Sequence, residues 1–428
     1  MKIKFINHAS AIFECGDVKI LTDPWYTGSC FNNGWNLLVD DEIDINDLDF
    51  NYLWYSHEHP DHFSIADLRK ISEQKKKEIT ILFQLAPDQK VKKFCEKLGF
   101  KVVEIEEGKD FFIEDVKICI GKEGGFDSWI SITHEDKTIV NLNDCRLENE
   151  EELAPLKKLG KIDVLLTQFG LANWTGNDGD LDAISTAQEM IFQKTNEQIK
   201  HLKPEYIVPF ASFSWFSHEE NSFCNNAAIS IKSFVDYYSY TKKIITLYVG
   251  EEWVVGEDRN CSEGLWQWEE QFKKKREPIH KSITIKEEEL QKSFEFMISN
   301  LKKKNSWDKL IELHSTFEGA VVELTDTEEK YIFDISKKSL EKTVSQSADI
   351  SMGSDSFNYL MKNEWGRGTL MVNGRFQASY KNFYKFLRQT QVYYNNNIGK
   401  RYPEDIPNES ITNPRSFVYE TLDTINDN

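Results

Sequence analysis

Basic charge is scarce in this chain, and so are histidine and unbroken apolar runs. Lys and Arg number 52 against 71 Asp and Glu, a net charge of −19. That balance argues against a basic stripe able to track a phosphate backbone, so no nucleic-acid partner is expected. It leaves an anionic small molecule open as substrate, because bound metal ions reverse the field inside a pocket. No apolar run approaches the length that spans a bilayer, so no membrane span is expected. The seven cysteines are Cys15, Cys30, Cys95, Cys119, Cys145, Cys224 and Cys261. They are odd in number and form no C-x-x-C or C-x-H pair, so the framework of a disulfide-stapled secreted domain is missing. The opening MKIKFINHASAIFE has the pattern of a strand and not of a signal peptide. Together these features lead to the expectation of a cytoplasmic protein. What is present is 428 residues, 40% hydrophobic and 13% aromatic, enough for a large core and more than one domain.

Only nine histidines occur, and three of them stand in Ser56-His57-Glu58-His59-Pro60-Asp61-His62. The apolar run Tyr52-Leu53-Trp54-Tyr55 before them reads as a buried strand, which Pro60 and its acidic neighbours turn into a loop. Alternate side chains of an extended segment share a face, so His57 and His59 can grip one metal ion. The turn at Pro60 swings Asp61 and His62 toward a second. Imidazole nitrogen with carboxylate suits zinc, iron or manganese. Asp144 follows the apolar strand Thr138 to Leu142, a place from which a carboxylate can bridge two ions. His218 lies in an aromatic loop after the strand Tyr206 to Pro209 and is expected to complete the second ion's shell. Asp23, after the strand Val18 to Thr22, is either a turn former or a partner that orients a metal-bound histidine.

Ile3 to Phe13 alternates as one strand, and strands and helices then alternate across the first half, the pattern of an α/β sandwich. Lys273 to Lys281 is charged and contains Pro278. The expected division is a catalytic domain over 1–272, a linker over 273–284, a smaller α/β domain over 285–400 and a mobile tail over 401–428. Asn373-Gly374 reads as a hairpin-like turn.

The order H-x-H-x-D-H, strand-end Asp, later loop His resembles the metallo-β-lactamase superfamily. That resemblance implies a four-layered αβ/βα sandwich holding two divalent metal ions. Leu21 to Gly28, Gly34 to Leu38, Ile139 to Cys145 and Leu202 to His218 are similar, more closely, to the non-Rieske part of the CMP-N-acetylneuraminate hydroxylase family. The segment after residue 285 resembles a sterol-carrier-like domain. Two departures stand out. The chain starts at the first sandwich strand and has no C-x-H motif for a Rieske cluster. The histidine usual before the Asp144 strand is missing from Gly121-Lys122-Glu123-Gly124-Gly125-Phe126-Asp127. Glu123 is the first substitute there and Asp127 the next, and a carboxylate in that place favours iron or manganese over zinc. The resemblance implies an anionic substrate such as a sugar nucleotide. The reading puts a metal-dependent hydrolase, with Asp61 or Asp144 holding the attacking water, narrowly ahead of a di-iron oxygenase. The oxygenase would need a separate electron-transfer partner. A homo-oligomer is left open.

Overall fold

A computed structural model of the chain describes residues 1–414, apart from 87, 125, 126, 241 and 346. Residues 415–428 of the expected tail, and Gly125 and Phe126 of the turn beside Glu123, therefore lie outside the described residues, while the tail's first part is not a loose arm: Tyr402, Ile406 and Ile411 are buried in the second half's core. Two seven-stranded sheets form the first half. One runs in the order Glu252–Val254, Lys2–Asn7, Ser10–Cys15, Val18–Thr22, Tyr52–Trp54, Thr80–Gln84, Lys101–Ile105. The other runs Lys243–Ile244, Tyr206–Phe210, Val164–Gln168, Lys137–Asn141, Asp127–His134, Val116–Glu123, Phe111–Ile113.

Side-chain alternation decides what lies on each face. Ile20, Trp54 and Leu82 point to the core between the sheets, with Ile118, Ile130 and Leu166 from the facing sheet. Their neighbours Leu21, Leu53, Ile81 and Phe83 point the other way, onto Leu68, Ile71, Val91 and Cys95. These four come from the outer helices Ile65–Lys70 and Lys90–Lys97 and from Ile71 just beyond the first of them. On the second sheet Val140 and Leu165 meet Leu153 and Leu156 of the helix Glu150–Lys157, and Leu202 of the helix Leu181–Leu202. Strands buried on both faces read as continuous apolar runs. The result is the αβ/βα sandwich of four layers.

The second half has its own five-stranded sheet, and none of its strands joins the first two. Its core gathers Phe294, Met297, Tyr331, Phe333, Phe357 and Phe386. Trp174 of the first half enters that core and stacks on Phe376, ring centroids 4.7 Å apart. Residues between the helices Ser262–Lys273 and Glu287–Lys304 form no helix. They lie along the first half: Arg276 donates to the Leu38 carbonyl at 2.8 Å and the Ile279 N–H to that of Ser217 at 2.9 Å.

Two local expectations need correction. Lys2–Asn7 and Ser10–Cys15 are separate antiparallel strands, reversing at His8, whose φ is +42°. Asn373 ends the helix Gly366–Asn373, and Gly374 closes it in the left-handed conformation, so there is no hairpin there.

Candidate metal centre

Strand ends make the site. Trp54 and Asn141 end strands that each pair in parallel with at least one neighbour, and the open crevice beyond such ends is where α/β sheets place ligands. Four residues at or just beyond strand ends adopt the left-handed region: His8 (+42°), Asp23 (+34°), Asn143 (+53°) and Ala211 (+47°). For an ordinary L-residue this costs of order 1 kcal/mol or more, and such strain collects at functional sites. Here the bends lock to one another. The Asp23 N–H bonds the Trp54 carbonyl, the Ala211 N–H the His8 carbonyl and the Gln168 N–H the Asn143 carbonyl.

Asp23 is fully buried and fixes two imidazoles. Its Oδ1 accepts the Ser56 N–H at 2.8 Å, and its Oδ2 accepts the Ser56 hydroxyl at 2.7 Å. With its hydrogen so committed, Ser56 Oγ accepts from His57 Nδ1 at 2.9 Å. His62 Nδ1 lies 2.9 Å from Asp23 Oδ2 and donates to it. Both rings therefore turn Nε2 to the cavity, His57 as a lone pair and His62 as a nitrogen that a metal ion would claim by displacing its proton. Burial also holds His57 and His59 below the ordinary imidazole range.

Three overlapping groups of metal-competent atoms result: His57, His59 and Asp127; His57, His62 and Asp144; His8, Asp61 and His62. His57 Nε2 lies 2.8 Å from His59 Nδ1, 3.6 Å from Asp127 Oδ1 and 3.7 Å from Asp144 Oδ2. His62 Nε2 lies 3.4 Å from Asp61 Oδ2 and 3.5 Å from Asp144 Oδ2. Asp144 thus stands between the His57–His59 side and the His62–Asp61 side. Burial, opposed by the histidines, leaves Asp61 well below the usual carboxylate range and Asp144 also lowered. Burial and then Asp144 push Asp127 up to about 7. On His62, Asp61, Asp144 and the bond to Asp23 overcome burial and raise it well above the usual range.

One feature tests whether a cation fits. Asp61 Oδ1, Asp127 Oδ1 and Asp144 Oδ1 are buried with no hydrogen-bond partner. Unpaired buried acceptors are costly, and three carboxylates that outnumber the cationic charge around them are compensated by bound cations. The donor set fits two divalent ions. His57, His59 and Asp127 would hold one, His62 and Asp61 the other, and Asp144 both.

Two expected ligands fall elsewhere. Glu123 stands directly opposite Asp127 in the antiparallel register, so both face the same side. Its Oε2 accepts the Arg146 N–H, which turns it away, and it belongs to none of the three groups. Burial raises its carboxyl to about 7. Asp127 takes the place assigned to Glu123. His218 also joins none of them. The turn that caps its N–H on Asn221 Oδ1 points its ring at Glu220, where Nδ1 accepts the Glu220 N–H at 3.2 Å. Burial, then Arg375, lower it to about 4.

His8 is the residue sequence reasoning passed over. The Phe213 N–H donates to its Nδ1 at 3.2 Å, so in the neutral ring the proton sits on Nε2. That N–H faces Asp61 Oδ2 at 3.5 Å. It forms no hydrogen bond there, and His8 lines the second position beside Asp61 and His62. The available signal was a histidine inside an otherwise apolar alternation.

Cytidine monophosphate-N-acetylneuraminic acid hydroxylase from Danio rerio is 22% identical over 52% of this chain and 39% of its own length. A UPF0173 metal-dependent hydrolase from Christiangramia forsetii is 28% identical over 40% of this chain and 73% of its own. CmlA, a diiron β-hydroxylase from Streptomyces venezuelae, superposes with a TM-score of 0.42 at 13% identity, over 59% of this chain and 53% of CmlA, too loosely to carry an inference. The chain thus spans well under half of the hydroxylase. No helix among the described residues is long and apolar enough to cross a membrane. Residues 2–211 match the family described as the beta-lactamase superfamily domain. The sterol-carrier resemblance of the second half gains no support from that match, and residues 2–211 form a metallo-β-lactamase-like domain.

Proposed function

We propose that the chain is a dinuclear iron enzyme that hydroxylates an anionic small molecule with dioxygen and two electrons from a separate electron-transfer protein, the second oxygen atom leaving as water. One observation carries this reading. A third carboxylate, Asp127, stands with His57 and His59 and leaves a buried oxygen unpaired. Carboxylate in place of imidazole makes the donor set harder and favours iron or manganese over zinc. The likeness to a hydroxylase supports the same direction. When bound, the two ions would supply dioxygen activation and would attract the substrate's negative charge. The protein's own part is to hold that site rigid. Asp23 fixes the rings of His57 and His62, directly and through Ser56.

A second reading, hydrolysis, is favoured by the likeness to a metal-dependent hydrolase. The same ligands would then lower the pKa of a bound water. The test is to purify the protein without added metal, determine its metals, and offer labelled dioxygen, a chemical reductant and CMP-N-acetylneuraminate. Iron at both positions with label from dioxygen in the product agrees with the proposal. Zinc, with label entering only from labelled water, rejects it in favour of hydrolysis.

A further inference from the structure

A cavity of about 680 Å³ opens beside the metal centre and is walled by both halves of the chain. The first half contributes His59, Phe31 and Phe63, and the second contributes Tyr359, Trp365 and Tyr394. Five of these six are aromatic in addition to the imidazole of His59, a composition that suits a flat apolar group.

The two aromatic rings that matter most are held in place and left uncovered toward the cavity. Trp365 is 50% exposed, unusual for so large an apolar side chain. Its indole N–H donates to the Tyr359 hydroxyl at 2.9 Å, which sets the ring's orientation. The Arg367 guanidinium lies 4.7 Å from the Tyr394 ring centroid and is itself held by Gln391 Oε1 at 2.6 Å. Gly368 lets Tyr394 come close, since a Cβ there would stand 3.2 Å from the ring.

The cationic charge in the wall is already spent, and Glu58 adds a carboxylate to it. Glu364 is paired with Lys304 at 2.6 Å. Lys90 donates to the Asn397 carbonyl at 2.7 Å and lies 3.1 Å from Asp88. The wall therefore offers no unpaired cation to an anionic group, and the metal centre is left to bind it.

We propose that this is the substrate pocket of the metal centre, and that Trp365 and Tyr394 of the second half select a flat, uncharged ring carried by an anionic substrate. The proposal rests on the metal-centre reading for the anionic end alone. The ring end stands on the cavity wall.

The test uses full-length, metal-loaded protein and two probes, phenylphosphonate and cyclohexylphosphonate, whose anionic groups match and whose rings differ in flatness. Affinities come from titration calorimetry, with metal content measured on every sample. The wild type is expected to prefer the phenyl probe about tenfold, as face or edge contact with aromatic rings would give. Trp365→Ala should erase that preference with metal content unchanged, and Trp365→Phe should keep most of it. Absence of preference in the wild type, failure of both probes to bind, or a preference untouched by Trp365→Ala overturns the proposal. Metal-stripped protein separates the two ends. Loss of binding supports metal anchoring. Undiminished binding with the phenyl preference intact overturns metal anchoring and leaves ring selection standing.

Discussion

The His57–His62 cluster and the His218–Arg375 cluster are built from the same residue types, and both touch the turn at Phe31 to Asn33. The Phe31 ring meets that of His59 at 5.8 Å between centroids. From the other side, Asn373 Nδ2 donates to the Phe31 carbonyl at 3.0 Å and Arg375 to the Asn32 carbonyl at 2.8 Å. In the second cluster every charge has an answer. Arg375 is fully buried, gives two bonds to Asp355 at 2.9 and 2.7 Å, and gives one from Nε to Glu220 at 2.8 Å. His218 is satisfied by the Glu220 N–H and by the Lys281 backbone. In the first cluster three carboxylates each keep an unpaired oxygen. Burying a histidine among acids is common to both. What separates them is whether the protein itself supplies the balancing cation. The arginine closes one cluster and ties the two halves together. The other is left for metal.

The largest way to break this comparison is His59→Ala. It removes one nitrogen donor from the first position and should abolish metal there together with essentially all turnover. Elemental analysis and activity of the purified variant check this, and full metal content would count against the assignment. Next is Arg375→Met, which leaves Glu220 and Asp355 buried without a counter-charge. It should cost about 3–5 kcal/mol in urea unfolding, the usual penalty for breaking a buried ion pair. Metal per folded chain should stay constant, because no ligand is touched.

A smaller effect concerns pH. His218 ordinarily titrates near 6.5 and is held at about 4 in the fold, by burial first and Arg375 second. The unfolded chain therefore binds its proton at a higher pH than the folded chain does. Its contribution to stability is fully present above pH 6.5 and is lost as pH falls toward 4. Comparing unfolding of the wild type and His218→Gln across that window isolates the effect. The variant should lose less stability on acidification, and parallel curves would contradict the shift.

Much of this was legible in the sequence because period-two alternation writes both faces of a buried sheet. Leu53 and Trp54, or Leu165 and Leu166, announce strands that face helices on one side and the other sheet on the other. The H-x-H-x-D-H loop was legible because local spacing alone puts those groups together, and Asp23 because it ends a strand beside them. The rest depended on how chain reversals aim side chains. His8 sits at a bend that leaves the alternation almost unbroken, so its strand looked continuous. Glu123 and Asp127 stand opposite each other across a hairpin, and only the bond from the Arg146 N–H decides which one reaches the histidines. His218 follows a core strand as a ligand would, but Arg375 lies 157 positions further along the chain and cannot be foreseen from local sequence.

The central claim is that unpaired buried oxygens, and not buried histidines as such, mark the metal centre. Metal stoichiometry of Asp127→Asn set against His218→Gln tests it most directly. The account predicts that Asp127→Asn loses metal at the His57–His59 position while His218→Gln keeps both ions. Full occupancy in Asp127→Asn, with an ion lost from His218→Gln, would contradict it.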